Sequence, residues 1–408
     1  MSTAGVLIVG ASQAGAQLAS TLRELHVTCP ITLVGAEEHL PYQRPPLSKA
    51  FLAGNASADS LLLRPAAYYA QRDVQVVTGE RISDITMNGA GGTATGTTGR
   101  TYDFSQLALT VGGRPRRLAV PGHDLDNVFQ LRDLADAVAM RDSLSEARRV
   151  VVVGGGFIGL EAAAIANGLG KDVVVIEALD RLMARAVAPV VSDFYLNAHR
   201  RRGVRVMLAT GVVGFTGDGK VSAVELSDGS SLPADLVLVG VGLVANTELA
   251  EQIAIEVSGG GIVVDGHGRT SRAQVVAAGD CTALRSSGRF LRVESVANAI
   301  DQARAAAATL AGLHAPLPSV PWFWSDQGDI KLQIAGLSEG ASDVVVRGDP
   351  ASERFAALYY RGDDLIAIDA INAPRDYMAV RRMLERGGSV PREAAADTAV
   401  VLKDFIAR

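Results

Sequence analysis

The sequence predicts an α/β protein with two copies of a parallel strand–helix–strand unit, closed by a separate α+β segment. Three observations lead there. Two short aliphatic runs each pass directly into a glycine-rich turn and a helix-compatible stretch, with another aliphatic run behind it. The composition is 48% hydrophobic but only 5% aromatic, so the core is aliphatic, as in strands covered by helices on both faces. The 408 residues also leave room for two or three domains, at about 150 residues each.

The first copy is Val6–Val9, the turn Gly10-Ala11-Ser12-Gln13-Ala14-Gly15, a helix to about Leu25 and the strand Ile31–Val34. A Gly/Thr-rich patch from Gly89 to Thr101, alternating in polarity, reads as a hairpin or small meander. The second copy is Val150–Val153, the turn Gly154-Gly155-Gly156-Phe157-Ile158-Gly159, a helix through Ala166 and the strand Val173–Ile176. Each is a βαβ unit, and their spacing of 144 residues (Gly10 to Gly154) predicts two nucleotide-binding domains of the Rossmann type. After Gly279-Asp280 an alanine-rich helix runs from about Val296 to Gly312, and the prolines Pro316, Pro318 and Pro321 mark a boundary. Beyond it, strand-like runs (Lys331–Ile334, Asp343–Val346, Phe355–Tyr360, Leu365–Ile368) and a helix near Tyr377–Leu384 form an α+β domain.

The net charge of −5 argues against general nucleic-acid binding. Cys29 and Cys281 lie 252 positions apart, so there is no CxxC pair, disulfide framework or metal cluster. Val6–Val9 begins almost at Met1, which leaves no room for a signal peptide. No uncharged apolar run reaches the ~18 residues of a membrane span. A cytoplasmic protein is expected.

The second turn is the complete one. Gly154 permits a tight turn, Gly156 lets the backbone approach a pyrophosphate, and Gly159 lets helix and strand pack closely. The helix start supplies N–H groups and a positive dipole end for phosphates. Glu177, 18 residues after Gly159, ends the next strand, where a carboxylate binds both ribose hydroxyls and repels a 2′-phosphate, favouring NADH. In the first turn Ser12 replaces the middle glycine between Gly10 and Gly15, and Glu37 lies 22 residues beyond Gly15, placed for a second ribose. Two dinucleotide sites in one chain suggest transfer between a held flavin and a mobile nicotinamide. Cys281 reads as a small buried hydrophobe.

Several longer motifs occur in order. They are Pro41-Tyr42-Gln43-Arg44-Pro45-Pro46-Leu47-Ser48-Lys49, Gly112-Gly113-Arg114-Pro115-Arg116, Gly154 to Glu161 and Val239-Gly240-Val241-Gly242-Leu243. Ala278-Gly279-Asp280-Cys281, Glu294-Ser295-Val296-Ala297-Asn298-Ala299 and Pro321-Trp322-Phe323-Trp324-Ser325-Asp326-Gln327 follow. Over essentially its whole length the chain resembles the FAD- and NADH-dependent ferredoxin reductases of bacterial oxygenase systems, the family of putidaredoxin reductase, rhodocoxin reductase and the biphenyl dioxygenase reductase.

The resemblance implies a glutathione-reductase-like α/β fold. An FAD domain would occupy residues 1–115 and 246–316, an NADH domain 116–245 and a C-terminal α+β domain 317–408. It implies a hydride passed from NADH to FAD, and single electrons passed to a [2Fe–2S] ferredoxin serving a cytochrome P450 or a ring-hydroxylating dioxygenase. Gly10, Ser12, Ala14 and Gly15 would hold the FAD pyrophosphate, Glu37 its ribose, and Ile82 the adenine through its backbone. Glu37 takes this role because Ala36 stands where the family often has an acid. Arg44, Lys49, Arg132, Asp280 and Val296 would serve FAD nearer the flavin, and Gly154, Gly156, Ile158, Gly159, Glu177 and Gly242 would serve NADH. A cation at Lys49 stabilises negative charge on a reduced ring, Glu161 would pair with it, and Trp324 would cover the ring. Thr110-Val111-Gly112 departs from the family's Ala-Thr-Gly but keeps the turn glycine.

Arg285, Arg289, Arg292 and Arg304 would dock an acidic ferredoxin, whereas the run Arg200, Arg201, Arg202 and Arg205 reads as a solvated helix face. Two alternatives share the cofactors: a small-molecule reductase like monodehydroascorbate reductase, and a redox-sensing protein like apoptosis-inducing factor.

Overall fold

The computed structural model describes residues 4–89, 91–286, 288–314 and 319–406, and the sheets below are formed among these. Pro316 and Pro318 lie outside the described residues. The chain divides into two compact units.

The first unit comprises Met1–Gln43, Asp59–Arg114 and Leu243–Ser319. Its centre is a parallel sheet in the order Val275–Ala277, Gln106–Leu109, Val6–Val9, Ile31–Val34, Val74–Val77. Strand residues alternate between two cores, as a period of two requires. Val6 and Ile8 face the helices Gln13–Glu24 and Val296–Leu310, whose alanines (Ala19, Ala303, Ala307) allow close approach. Leu7 and Val9 face the opposite core, which includes Ile85, Ala94 and Phe104 of the antiparallel meander Ile82–Asn88, Gly91–Gly96, Thr101–Phe104. Strand order reverses between Val6–Val9 and Gln106–Leu109, the place where open α/β sheets leave a crevice beyond their carboxyl ends.

The second unit comprises Arg44–Ala58, Pro115–Gly242 and Val320–Arg408. Its parallel sheet runs Arg205–Met207, Asp172–Ile176, Arg149–Val153, Leu236–Val239, Val128–Phe129, with the reversal beside Arg149–Val153. A small antiparallel sheet (Val212–Asp218, Lys220–Leu226, Ser231–Pro233) shares a core with one face through Phe215, Val221 and Val224. The helices Leu134–Glu146, Phe157–Gly168 and Pro189–Arg201 pack into the other core. Asp133 caps the first of these, forming a reciprocal box with Asp136.

The C-terminal residues build an antiparallel sheet in the order Trp322–Gln327, Ile330–Gly336, Asp364–Ile371, Arg354–Arg361, Asp343–Asp349. One face packs on the helix Pro374–Glu385; the other gives Leu332, Phe355, Tyr359 and Ile371 to the core of the nucleotide-type fold. Ring contacts of 5.1 Å (Phe194–Phe355) and 4.7 Å (Phe157–Phe323) join the two. These compact units cut the chain differently from the segmentation read from sequence. The C-terminal sheet and residues 44–58 share the core of the second unit, where Leu52 is buried and Arg141 lies 4.7 Å from the Phe51 ring. Trp322–Gln327, which the sequence marks only as a motif, is a strand.

Candidate active site

In the first unit, Gly10 adopts φ +114°, and a Cβ there would sit 2.2 Å from the Thr110 carbonyl oxygen. Gly15 is closed in the same way, 2.1 Å from the Gly10 carbonyl. These glycines are therefore required by the turn itself. Thr110 Oγ1 donates to the Gly10 carbonyl at 2.8 Å, so the departure from Ala-Thr-Gly supplies its own polar contact, and Gly112 turns the chain at φ +60°. Ser12 is the N-cap of Gln13–Glu24 but makes no side-chain cap hydrogen bond, and no acid lies in the first turn. Gly279, at φ +88°, comes within 3.2 Å of Ala14 Cβ at its own Cβ position, bringing the Asp280 turn to the same helix start. Val296 opens the helix capped by Ser295, and Ile82 is buried at its strand start. Glu37 accepts a hydrogen bond from the Tyr42 hydroxyl.

The second unit repeats the geometry. Gly154 has φ +110°, with its Cβ position 2.4 Å from the Gly240 carbonyl, and Gly159 is closed by the Gly154 carbonyl at 2.3 Å. Gly156 differs: its φ is −84°, and a Cβ would meet nothing within 4 Å. The fold does not need a glycine there, whereas a ligand approaching the backbone does. It caps the helix Phe157–Gly168 without a side-chain bond, and no acid follows in the first turn. Two helix starts with free dipole ends and tight glycine turns fit two pyrophosphates. Glu177 accepts from the Gly155 N–H at 2.7 Å (Oε2) and the Leu179 N–H at 2.8 Å (Oε1), which fixes its carboxylate beside the turn. Ile158 is half exposed, and Gly242 turns at φ +110° near Arg185.

Lys49 and Glu161 also belong to the second unit, and they form an ion pair of 2.7 Å (Nζ–Oε2). Glu161 is 3% exposed. Removing either partner of such a buried pair costs about 3–5 kcal/mol. Ser48 Oγ donates to Oε2 at 2.6 Å and Ser325 Oγ to Oε1 at 2.7 Å, so the carboxylate is held from three directions. The spacing explains why a helix and a strand meet there: Phe157 and Glu161 are one turn apart, and Phe323 and Ser325 share one strand face. Trp324 points the other way and stacks on Trp322 at 5.6 Å. Arg44 Nη1 donates to the Arg132 carbonyl at 2.5 Å, and the Arg132 N–H donates to Asp136.

The family described as pyridine nucleotide-disulphide oxidoreductase matches residues 4–303, and a reductase C-terminal family matches residues 322–406. The chain belongs to the pyridine nucleotide-disulphide oxidoreductases. Within that family this reductase is 41% identical to the ferredoxin reductase subunit of 5,5′-dehydrodivanillate O-demethylase from a Sphingobium species, over 98% of both chains. It is 42% identical to rhodocoxin reductase of Rhodococcus erythropolis, over 99% of this chain and 94% of the relative. Its fold matches the crystal structure of the covalent putidaredoxin reductase–putidaredoxin complex with TM-score 0.95 and 39% identity, covering 99% and 98% of the two chains. Despite the family's description, the reductase has only two cysteines; Cys281 is fully buried, and burial pushes its thiol up to about 12.

Of the four arginines expected to dock a partner, Arg285 pairs with Glu256, and Arg292 pairs with Glu294 at 2.9 Å while donating to the Asp280 carbonyl at 3.1 Å. Arg289 and Arg304 are exposed. In the arginine run, Arg202 is partly buried and binds Asp329 and Glu353, joining the C-terminal sheet to the helix, while Arg201 reaches Glu353 and stays exposed to solvent, as expected of a solvated face. The sequence reading missed Ser325, Gln327 and His199 as members of one polar cluster. Its only signal was Ser325 and Gln327 at alternate positions of a strand that opens with three aromatic residues.

Among the described residues no helix is long and apolar enough to cross a membrane.

Proposed function

We propose that the chain is an FAD-containing, NADH-dependent ferredoxin reductase that delivers electrons to a [2Fe–2S] ferredoxin serving a cytochrome P450 or a ring-hydroxylating dioxygenase in the cytoplasm. The observation that carries it is the full-length similarity to reductases of this kind in a chain with two glycine-turned helix starts that make no side-chain cap hydrogen bond. Bound FAD supplies the chemistry the side chains lack, accepting a hydride from NADH and giving up electrons singly. The chain's own residues bind and orient. Gly10, Ser12, Ala14 and Gly15 present backbone to one pyrophosphate, with Glu37 and Ile82 toward the adenosine end and Arg44, Arg132, Asp280 and Val296 toward the ring. Gly154, Gly156, Ile158, Gly159 and Gly242 receive NADH, and Glu177 takes its ribose hydroxyls and disfavours a 2′-phosphate. Lys49, steadied by Glu161, offers a positive charge to the reduced ring, and Trp324 covers it. Arg285, Arg289, Arg292 and Arg304 steer the acidic ferredoxin.

Anaerobic titration of the purified protein tests this. Bleaching of a yellow flavin band by one equivalent of NADH, with little from NADPH, is expected. A colourless protein, or a yellow one that NADH leaves unchanged, overturns the reading.

A further inference from the structure

The Lys49–Glu161 pair is one end of a longer buried chain within the second unit. Ser325 Oγ donates to Glu161 Oε1 at 2.7 Å; Gln327 Nε2 donates to Ser325 Oγ at 3.3 Å and to Met183 Sδ at 3.8 Å. Gln327 Oε1 lies 2.8 Å from His199 Nε2. Ser325, Gln327 and His199 are all buried. The direction of the chain follows from its end. An ionised carboxylate only accepts, so the Ser325 hydroxyl donates to it and accepts from the Gln327 amide. The Gln327 carbonyl then faces His199 and accepts from an Nε2–H. A flipped amide would turn the Ser325 proton away from Glu161 and set two oxygens against each other at 2.7 Å. Burial holds His199 below its usual range, Arg202 adds to this, and the Gln327 hydrogen bond opposes it.

We propose that Gln327, seated on His199, is a positioning residue of the reductase: through Ser325 it holds Glu161 in the one orientation that presents Oε2 to Lys49. The inference rests on the function proposed above. The chain begins on the helix Pro189–Arg201 and passes through the C-terminal strand Trp322–Gln327, so the C-terminal sheet has a part in aiming the cation. Each donor in such a line polarises the next, and losing the middle link releases the end.

The test compares Gln327→Leu, Ser325→Ala and the double variant with wild type. We expect the limiting rate of flavin bleaching at saturating NADH to fall five- to tenfold in each single variant. The NADH dissociation constant should change little, because Lys49 still lies beside Glu161 and offsets its charge, and the double variant should be no slower than either single one. A second readout is independent of turnover. The chain has five lysines, so reductive methylation followed by mass spectrometry resolves Lys49. Lys49 should label several-fold faster in the variants, with the other four lysines unchanged. Gln327→Met keeps nearly the same length and removes the amide without adding charge, and it carries the test where the leucine variant fails to fold. Unchanged bleaching rates and labelling in variants of a wild type that NADH does bleach overturn the proposal. So do losses that add in the double variant, the mark of two separate packing defects. A wild type that NADH does not bleach overturns the functional reading, and this proposal with it.

Discussion

Gly156 and Gly159 separate what the second glycine turn does for the fold from what it does for a ligand. A methyl at residue 159 would lie 2.3 Å from the Gly154 carbonyl oxygen, far inside contact distance and against backbone that cannot move alone. Gly159→Ala should therefore destabilise the protein by about 1–3 kcal/mol or more, as overpacking does. A methyl at residue 156 meets nothing within 4 Å, on backbone at φ −84° and ψ 177° that alanine adopts freely. The only intrinsic cost of Gly156→Ala is the poorer N-cap, somewhat under about 1 kcal/mol.

The same methyl stands where a pyrophosphate would approach the helix start. Loss of one hydrogen bond to a charged group is worth about 1.5–3 kcal/mol, or roughly 10- to 150-fold in affinity at 1.36 kcal/mol per decade. Gly156→Ala should keep its flavin, melt within a few degrees of wild type and bind NADH 10- to 150-fold more weakly in an anaerobic titration. A variant with wild-type NADH affinity would show that the dinucleotide does not lie across this turn. Loss of FAD from it would show that the two turns have been assigned to the wrong cofactors.

Glu177→Ala removes the acceptor proposed for the ribose hydroxyls and should narrow the NADH-to-NADPH ratio of kcat/KM at least tenfold; an unchanged ratio sends the specificity elsewhere. The four arginines Arg285, Arg289, Arg292 and Arg304 should make ferredoxin reduction fall steeply with added salt, leaving ferricyanide reduction by NADH nearly flat; equal responses refute a charged docking face. Asp369 is fully buried, takes a hydrogen bond from Tyr359 on one oxygen and has no partner for the other among the described residues; burial pushes its carboxyl up to about 7. Between about pH 4 and 7 the native state holds a proton that the unfolded chain has released, so this group costs stability as pH rises, up to about 4 kcal/mol by pH 8. Asp369→Asn should remove that loss, so urea unfolding at pH 5 and pH 8 should show the variant gaining on wild type as pH rises, and parallel profiles would refute it.

The parts of the fold written in local pattern were legible in the sequence. Val6–Val9 and Val150–Val153 announce strands because each aliphatic run ends on a glycine that must take positive φ, whereas the strand order that creates the two switch points is set by the distant strands Gln106–Leu109 and Leu236–Val239. The pairing of Lys49 with Glu161 was also legible, since both stand in motifs with a chemical reason to meet. What stayed hidden depends on contacts between distant segments. Nothing local to Leu52 shows that residues 44–58 pack with the second unit. Nothing in the prolines before Val320 shows that the sheet beyond them shares a core with Phe157 and Phe194. Gln327 and His199 are separated by 128 positions, and only the tertiary fold makes them neighbours.

The ion pair also bears on nucleotide binding in a way the two residues considered singly do not. Glu161 lies five residues, roughly 7.5 Å along the axis, from the helix start at Gly156. A bare carboxylate there would repel an anion at that start by about 2 kcal/mol at an effective dielectric of ~20, working against the helix dipole. With Lys49 at 2.7 Å the charge is cancelled locally. Under the function proposed above, Lys49 would then have two separable effects: a positive charge offered to the ring, and neutralisation of Glu161 on behalf of NADH. Lys49→Met should slow flavin bleaching and also weaken NADH binding by roughly tenfold or more. Adding Glu161→Gln should restore the binding, because no net charge then faces the helix start, yet leave bleaching slow, because the cation is still missing. If the double variant recovers neither or both, the two effects are one.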